Sequence, residues 1–216
     1  MTSAGFASVI LDVDSTLCGI EGIDWLGERA GKHVSARVAD LTNRAMQGEI
    51  ALESVYSGRL ALVQPTRAQV DALADAYVAA IAPGAGAAIH RLLAAGRRVV
   101  LVSGGLREAI LPAAREVGIA PRDVHAVSVH FDEAGGYAGF DASSPLTTAV
   151  GKRAVAESLA LPARILAVGD GVTDLAMRPA VDAFAAFTGF VRRPHVVQLS
   201  DLVLESFDQL LELVLS

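Results

Sequence analysis

The stretch VILDVDSTL, residues 9–17, is an apolar run interrupted by Asp12 and Asp14, with the hydroxyls of Ser15 and Thr16 directly after. Its aliphatic and β-branched residues predict a buried strand. Burying a carboxylate is costly unless it is paired, hydrogen-bonded or bound to metal. The two carboxyl groups are expected to have separate tasks. By itself the stretch also fits a strand ending in a turn, with Asp and Ser capping the next element.

After this strand the texture is helical. GIDWLGERAG, VSARVADLTNRAMQG (ending in Gly48), IALESVYSGRLALV and TRAQVDALADAYVAAI carry apolar residues at helical spacing, and Thr66 caps the last. From Pro83 the pattern alternates. GAGAAIHRLLAAG predicts a helix closed by Gly96, RRVVLVSGG a strand with a glycine turn, and LREAILPAAREVG a helix. DVHAVSVHFD predicts a strand that EAGG turns back into YAGFD as a hairpin. TTAVGKRAVAESLAL, ARILAVGDG, VTDLAMRPA and DAFAAF continue as helix, strand, short helix and strand. Strand–helix alternation predicts an α/β fold: a Rossmann-like, mostly parallel sheet with helices on both faces. The helical block adds a small helical cap inserted after the first strand. On this reading residues 1–16 and 80–216 form the core and residues 17–79 the cap.

The bulk composition narrows the class. The chain has 216 residues, 52% of them hydrophobic, enough for one sizeable core with a smaller insertion. Its net charge of −6 offers no basic surface, so no nucleic-acid partner is expected. A single cysteine, Cys18, rules out an internal disulfide framework and suits a reducing compartment. No positive charge precedes the first apolar stretch, which is too short to span a bilayer; no membrane association and a cytoplasmic location are expected.

In an open parallel sheet the ligand crevice lies beyond the strand C-terminal ends. Three further signals fall on that predicted edge: Ser103, Gly104 and Gly105 after VVLV, Asp170 and Asp174 in GDGVTD, and Gly151 with Lys152 opening a helix. Each has an ordinary structural use, as a turn, a cap or a solvated lysine. Together on one edge they describe a phosphate site with a Mg²⁺ site. A carboxylate that attacks phosphorus divides a hard displacement into two easier ones, and the repulsion from a phosphate dianion must be neutralised by Mg²⁺ and a lysine. Asp12 and Asp170 each offer one oxygen to the metal. The Ser103 hydroxyl and the glycine N–H groups hold phosphoryl oxygens. Asp14 moves protons, first to the leaving oxygen and then from water.

DVDST, VSGG, GK and GDGVTD resemble the four motifs of the haloacid-dehalogenase superfamily of phosphatases. EGIDWL, LTNRAMQGEI, RLALVQPTRAQV, YAGFD and DAFAAF are similar to the phosphoserine phosphatase family over nearly the whole chain. The resemblance implies Asp12 as nucleophile and Mg²⁺ ligand, and Asp14 as acid/base that also lends its backbone carbonyl to the metal. It implies Asp170 as a metal ligand, with Asp174 holding the metal shell, and Ser103, Gly104 and Lys152 as phosphate binders. For the substrate it implies Glu21 for an ammonium, Arg59 for a carboxylate, Met46 packing nearby and Arg193 close to the site. The implied substrate is a small phosphomonoester, O-phospho-L-serine, and the implied assembly a monomer or homodimer. Leu52 stands where the family usually has phenylalanine, which loosens the fit around the substrate. The segment around Thr188 and Phe190 replaces a more glycine-rich loop.

Other readings carry different signatures. A phosphatase of another small phosphomonoester, or a phosphotransferase, would keep every core motif and change the cap. A dehalogenase has no leaving alkoxide to protonate and so no use for Asp14. A non-catalytic phospho-amino-acid sensor would lack a nucleophile or a metal ligand, and none is missing. The histidines (His33, His90, His125, His130, His195) are scattered without metal-ligand spacing. Trp25 is expected to pack the cap helices, and nothing near Cys18 assigns it to catalysis.

Overall fold

The computed structural model describes residues 5–46 and 52–216, without the side chains of residues 42–46, 52 and 53. Its centre is a six-stranded sheet. β1 (Ser8–Leu11) lies between β2 (Arg98–Leu106) and β6 (Ile165–Gly169); β3 (Val124–Val127) extends the sheet beyond β2, and β7 (Ala183–Phe187) and β8 (Leu202–Leu204) extend it beyond β6. All five pairings are parallel. A parallel sheet covered on both faces is apolar on both, which is why these strands read as continuous apolar runs.

Alternation divides each strand between two cores. Val9, Leu11, Leu101, Val168 and Phe187 face one of them; Ile10, Val100, Val102, Ala167 and Phe184 face the other. The first core is closed by α4 (Arg67–Ala79), α5 (Ala85–Ala94), α6 (Arg107–Glu116) and α10 (Phe207–Leu215), the second by α7 (Gly151–Ser158) and α9 (Pro194–Leu199).

Between β1 and α5 the chain forms α1 (Gly22–Arg29), α2 (Lys32–Met46), α3 (Leu52–Val63) and α4. The helices α1, α2 and α3 pack on one another, while α4 packs on α1 and along α6. Thr66 opens α4 as expected: its hydroxyl accepts the Gln69 N–H, and the Gln69 side chain accepts the Thr66 N–H at 2.8 Å. Trp25 packs, half-buried, against the core, under the guanidinium of Arg29. The expected helix end at Gly48 lies outside the described residues.

Two local expectations are corrected. The segment DVHAVSVHFD is two strands, not one. Residues 124–127 pair parallel with β2, whereas β4 (Val129–Phe131) pairs antiparallel with β5 (Tyr137–Phe140) as a separate hairpin. At the break the Val129 N–H donates to the Glu108 carboxylate at 3.0 Å. The glycine turn after VVLV is likewise part of β2, which runs on to Leu106 and loses register with β3 between Val102 and Leu106. That irregularity frees backbone groups at Ser103, Gly104 and Gly105, beside the start of α6.

Candidate active site

Register brings the motifs together. Leu11 pairs with Leu101 on one side and Val168 on the other, so Asp12 leaves the C-terminal edge one residue before Ser103 and Asp170 leave theirs. A cavity of about 420 Å³ opens there, lined by Asp12, Asp14, Ser103, Gly104, Lys152, Asp170 and Asp174 from the sheet side. Glu21, Asp24, Tyr56 and Arg59 line it from α1 and α3, and Arg193 from the segment before α9. Every site residue expected from the sequence reaches this cavity except Met46, whose side chain, like that of Leu52, lies outside the described residues. A shallower depression of about 590 Å³ around Val150, Arg153 and Arg178 gathers no carboxylates and is not the site.

Lys152 sits buried on the cavity floor, ion-paired with Asp12 and, at 2.6 Å, with Asp174. Burial works against its ammonium, but the two carboxylates outweigh that and raise its pKa, so it stays charged. The second Asp174 oxygen accepts the Gly171 N–H at 2.9 Å, which orients the carboxylate at the first turn of α8 (Val172–Leu175). Gly169 is required beneath it, because a Cβ there would lie 2.2 Å from the Asp174 carboxyl carbon. Ser103 Oγ accepts the Gly105 N–H at 2.9 Å, which leaves its own O–H to donate.

Asp12, Asp170 and Asp174 are all buried and offer oxygens within 4.8 Å of one another. This donor set suits a hard divalent cation. The electrostatics agree. Asp12 is pushed well above the usual carboxylate range by burial and then by Asp174, against the pull of Lys152. Burial and Asp174 also raise Asp170, although Arg193 donates to it at 2.8 Å. Burial pushes Asp14 up to about 6, opposed first by a hydrogen bond from Tyr77. Carboxyl groups crowded in this way fall short of positive charge, and a divalent ion supplies it.

The upper wall is differently built. Glu21 accepts the Ser15 hydroxyl at 2.8 Å and lies 3.5 Å from Arg193. Burial and the charge of Asp14 push it up to about 7, although its side chain is 42% exposed. Arg59 donates to Asp24 at 2.6 Å. Its Nε and the Tyr56 hydroxyl are buried without a partner among the described residues, and both side chains line the cavity. Ser15, at φ 53°, holds the left-handed turn that carries the chain from β1 toward α1. Phe190 packs on Phe187.

A haloacid dehalogenase-like hydrolase family model matches residues 9–178. The chain belongs to the haloacid dehalogenase-like hydrolases. Within that family, phosphoserine phosphatase of Rattus norvegicus is 36% identical over 207 residues, covering 94% of this chain and 91% of that protein. Phosphoserine phosphatase of Drosophila melanogaster is 35% identical over 210 residues, covering 94% and 76%. Among solved structures, a phosphoserine phosphohydrolase-like protein from Francisella tularensis superposes with a TM-score of 0.84 at 25% identity, covering 97% of this chain and all of that one. The haloacid dehalogenase-like match runs from the first strand past GDGVTD, so it spans all four motifs that meet in the cavity.

Sequence reading missed Tyr77. Its phenol is buried against the site and donates to Asp14 at 2.5 Å. Its spacing from Val70 and Leu73 marks a core face of α4, but nothing in the sequence connects it to Asp14, 63 residues earlier.

Proposed function

We propose that the protein is a Mg²⁺-dependent phosphoserine phosphatase that hydrolyses O-phospho-L-serine to L-serine and phosphate, a step of serine biosynthesis. The observation that carries this reading is the pairing of Asp12 with Lys152 in a cavity that Glu21 and Arg59 also line. Asp12 attacks phosphorus and forms an aspartyl-phosphate. Lys152, the Ser103 hydroxyl and the Gly104 N–H hold the phosphoryl oxygens. Asp14 protonates the departing seryl oxygen and then takes a proton from the water that releases phosphate. Glu21 accepts the substrate ammonium. Arg59 takes its carboxylate, with the Tyr56 hydroxyl beside it and Arg193 steadying Glu21 and Asp170. Asp12, Asp170 and the Asp14 carbonyl, with support from Asp174, would hold Mg²⁺, which would supply the positive charge needed between phosphate and nucleophile.

In this reading residues 1–16 and 80–216 carry the chemistry and residues 17–79 form the cap that selects the substrate, although α4 also packs along α6. The protein acts on a small molecule, as a monomer or homodimer in the cytoplasm. Among the described residues no helix is long and apolar enough to cross a membrane.

The test is phosphate release from L-phosphoserine, phosphoethanolamine and p-nitrophenyl phosphate, each with and without Mg²⁺. L-Phosphoserine is expected to give the highest kcat/KM, and only with the metal. A preference for phosphoethanolamine, which lacks the carboxylate, or for the aryl phosphate would overturn the substrate assignment.

A further inference from the structure

Tyr77 is fully buried near the C-terminal end of α4, and its hydroxyl donates to Asp14 Oδ1 at 2.5 Å. The Gly22 N–H, at the start of α1, donates to the same oxygen at 3.3 Å. Among the described residues no hydrogen bond reaches Asp14 Oδ2, and Asp14 lines the cavity. The hydroxyl is wedged in place. A Cβ at Gly22 would lie 2.1 Å from it and one at Gly105 3.3 Å from it, so neither α1 nor β2 leaves room for it to swing away.

The protonation of Asp14 is set by these donors. A carboxylic acid carries its proton on one oxygen, and an oxygen facing an N–H must be the acceptor. Gly22 cannot accept, so the proton of Asp14 belongs on Oδ2. The Tyr77 hydroxyl donates to the same oxygen as the Gly22 N–H, so Oδ1 is occupied as an acceptor.

We infer that Tyr77 is a positioning residue for proton transfer: with the Gly22 N–H, it turns Asp14 so that Oδ2 presents the proton to the leaving oxygen. The inference rests on the reading of Asp14 as the acid/base. In the first half-reaction a bond forms from Asp12 to phosphorus and the bond from phosphorus to the seryl oxygen breaks. The electron pair on that oxygen takes the proton from Asp14 Oδ2. In the second half, water bonds to phosphorus, its proton passes to Oδ2, and the bond between phosphorus and Asp12 breaks. Tyr77 keeps its own proton throughout.

The test exploits the leaving group. The ratio kcat/KM covers only the steps up to its departure. A seryl alkoxide needs a proton to leave, whereas p-nitrophenolate leaves unaided. Tyr77→Phe keeps the ring and removes the donor. It is expected to lower kcat/KM for L-phosphoserine about tenfold, the effect of losing one hydrogen bond to a charged group, and to change that for p-nitrophenyl phosphate by less than about twofold. Gly22→Ala, whose methyl displaces the Tyr77 hydroxyl, should reproduce the asymmetry and carries the test if Tyr77→Phe does not fold. Asp14→Asn should show the same asymmetry with a larger fall. Equal losses on both substrates in Tyr77→Phe, or no loss on either, would overturn the inference and leave Tyr77 a packing residue. Symmetric losses in Asp14→Asn would instead remove the acid/base assignment on which the inference stands.

Discussion

Lys152 and Asp12 are 140 residues apart in sequence, yet they form an ion pair on the buried floor of the cavity. The pair depends on the parallel sheet. β1 delivers Asp12 to its C-terminal edge, and the first turn of α7 delivers Lys152 to the same place. Asp174 supports the pair from α8. An ammonium held between two carboxylates has a fixed position, so it can meet a phosphoryl group without reorganising.

Asp12→Asn removes the proposed nucleophile and leaves Lys152 its contact with Asp174. Phosphatase activity should fall at least ~10³-fold, because the proposed covalent intermediate on Asp12 can no longer form. Stability should change little, since burial already opposes the Asp12 charge. Phosphate release and urea unfolding measure the two quantities separately, and binding of beryllofluoride to the residue-12 carboxylate, an analogue of the acyl-phosphate, should be lost. Substantial turnover by this variant would contradict the assignment.

Mg²⁺ should stabilise the fold as well as support the reaction. A ligand at one hundred times its Kd stabilises by about 2.7 kcal/mol, which is roughly 5–10 °C in Tm for a chain of this size. The increase should disappear in Asp170→Asn and shrink in Asp174→Asn, read by calorimetry with and without EDTA. An unchanged Tm on metal addition would argue against a metal at this cluster.

Arg59→Ala should separate recognition from chemistry. A desolvated charge-assisted contact is worth roughly 2–4 kcal/mol, which lowers kcat/KM for L-phosphoserine about 30- to 1,000-fold. Hydrolysis of p-nitrophenyl phosphate should change little. The Asp24 partner is 48% exposed, so its release into water should cost the fold under ~1 kcal/mol. If both substrates lose activity equally, Arg59 is structural.

In the chelated protein, stability should depend on pH with a defined sign. Asp14 at about 6 and Glu21 at about 7 lie above the ordinary carboxyl values of 3.8 and 4.5. The folded state therefore binds more protons than the unfolded state across roughly pH 4 to 7, and stability is lost as pH rises through that window. His125, whose pKa burial lowers, opposes the trend, and His125→Asn removes its contribution. Saturating Mg²⁺ should flatten the slope, because Asp12, Asp14 and Asp170 would then be ionised in the folded state at lower pH. Thermal melts from pH 5 to 8 in EDTA and in Mg²⁺ measure it, and a slope of the opposite sign in EDTA would contradict these protonation states.

Much of this molecule is legible from local pattern. Apolar runs ending in Asp12, Ser103 and Asp170 specify buried parallel strands, and the alternation with helices specifies the doubly covered sheet, because each element's hydrophobic period is local. Strand C-termini share one edge in such a sheet, so residue order alone places the carboxylates, the hydroxyl and the lysine together. The division of residues 123–132 into two strands could not be read, since its halves differ only in the tertiary partners they pair with, β2 and β5. The contacts of Arg59 with Asp24, of Arg193 with Asp170 and of Tyr77 with Asp14 were equally hidden. Each joins side chains whose separation is set by how helices pack, and no sequence period encodes that distance. Residue types and their order determined the sheet and the chemistry on its edge. The packing of α1, α3 and α4 against that edge decided which donor faces which carboxylate, because hydrogen bonds are satisfied over ångströms and only the folded chain sets ångströms.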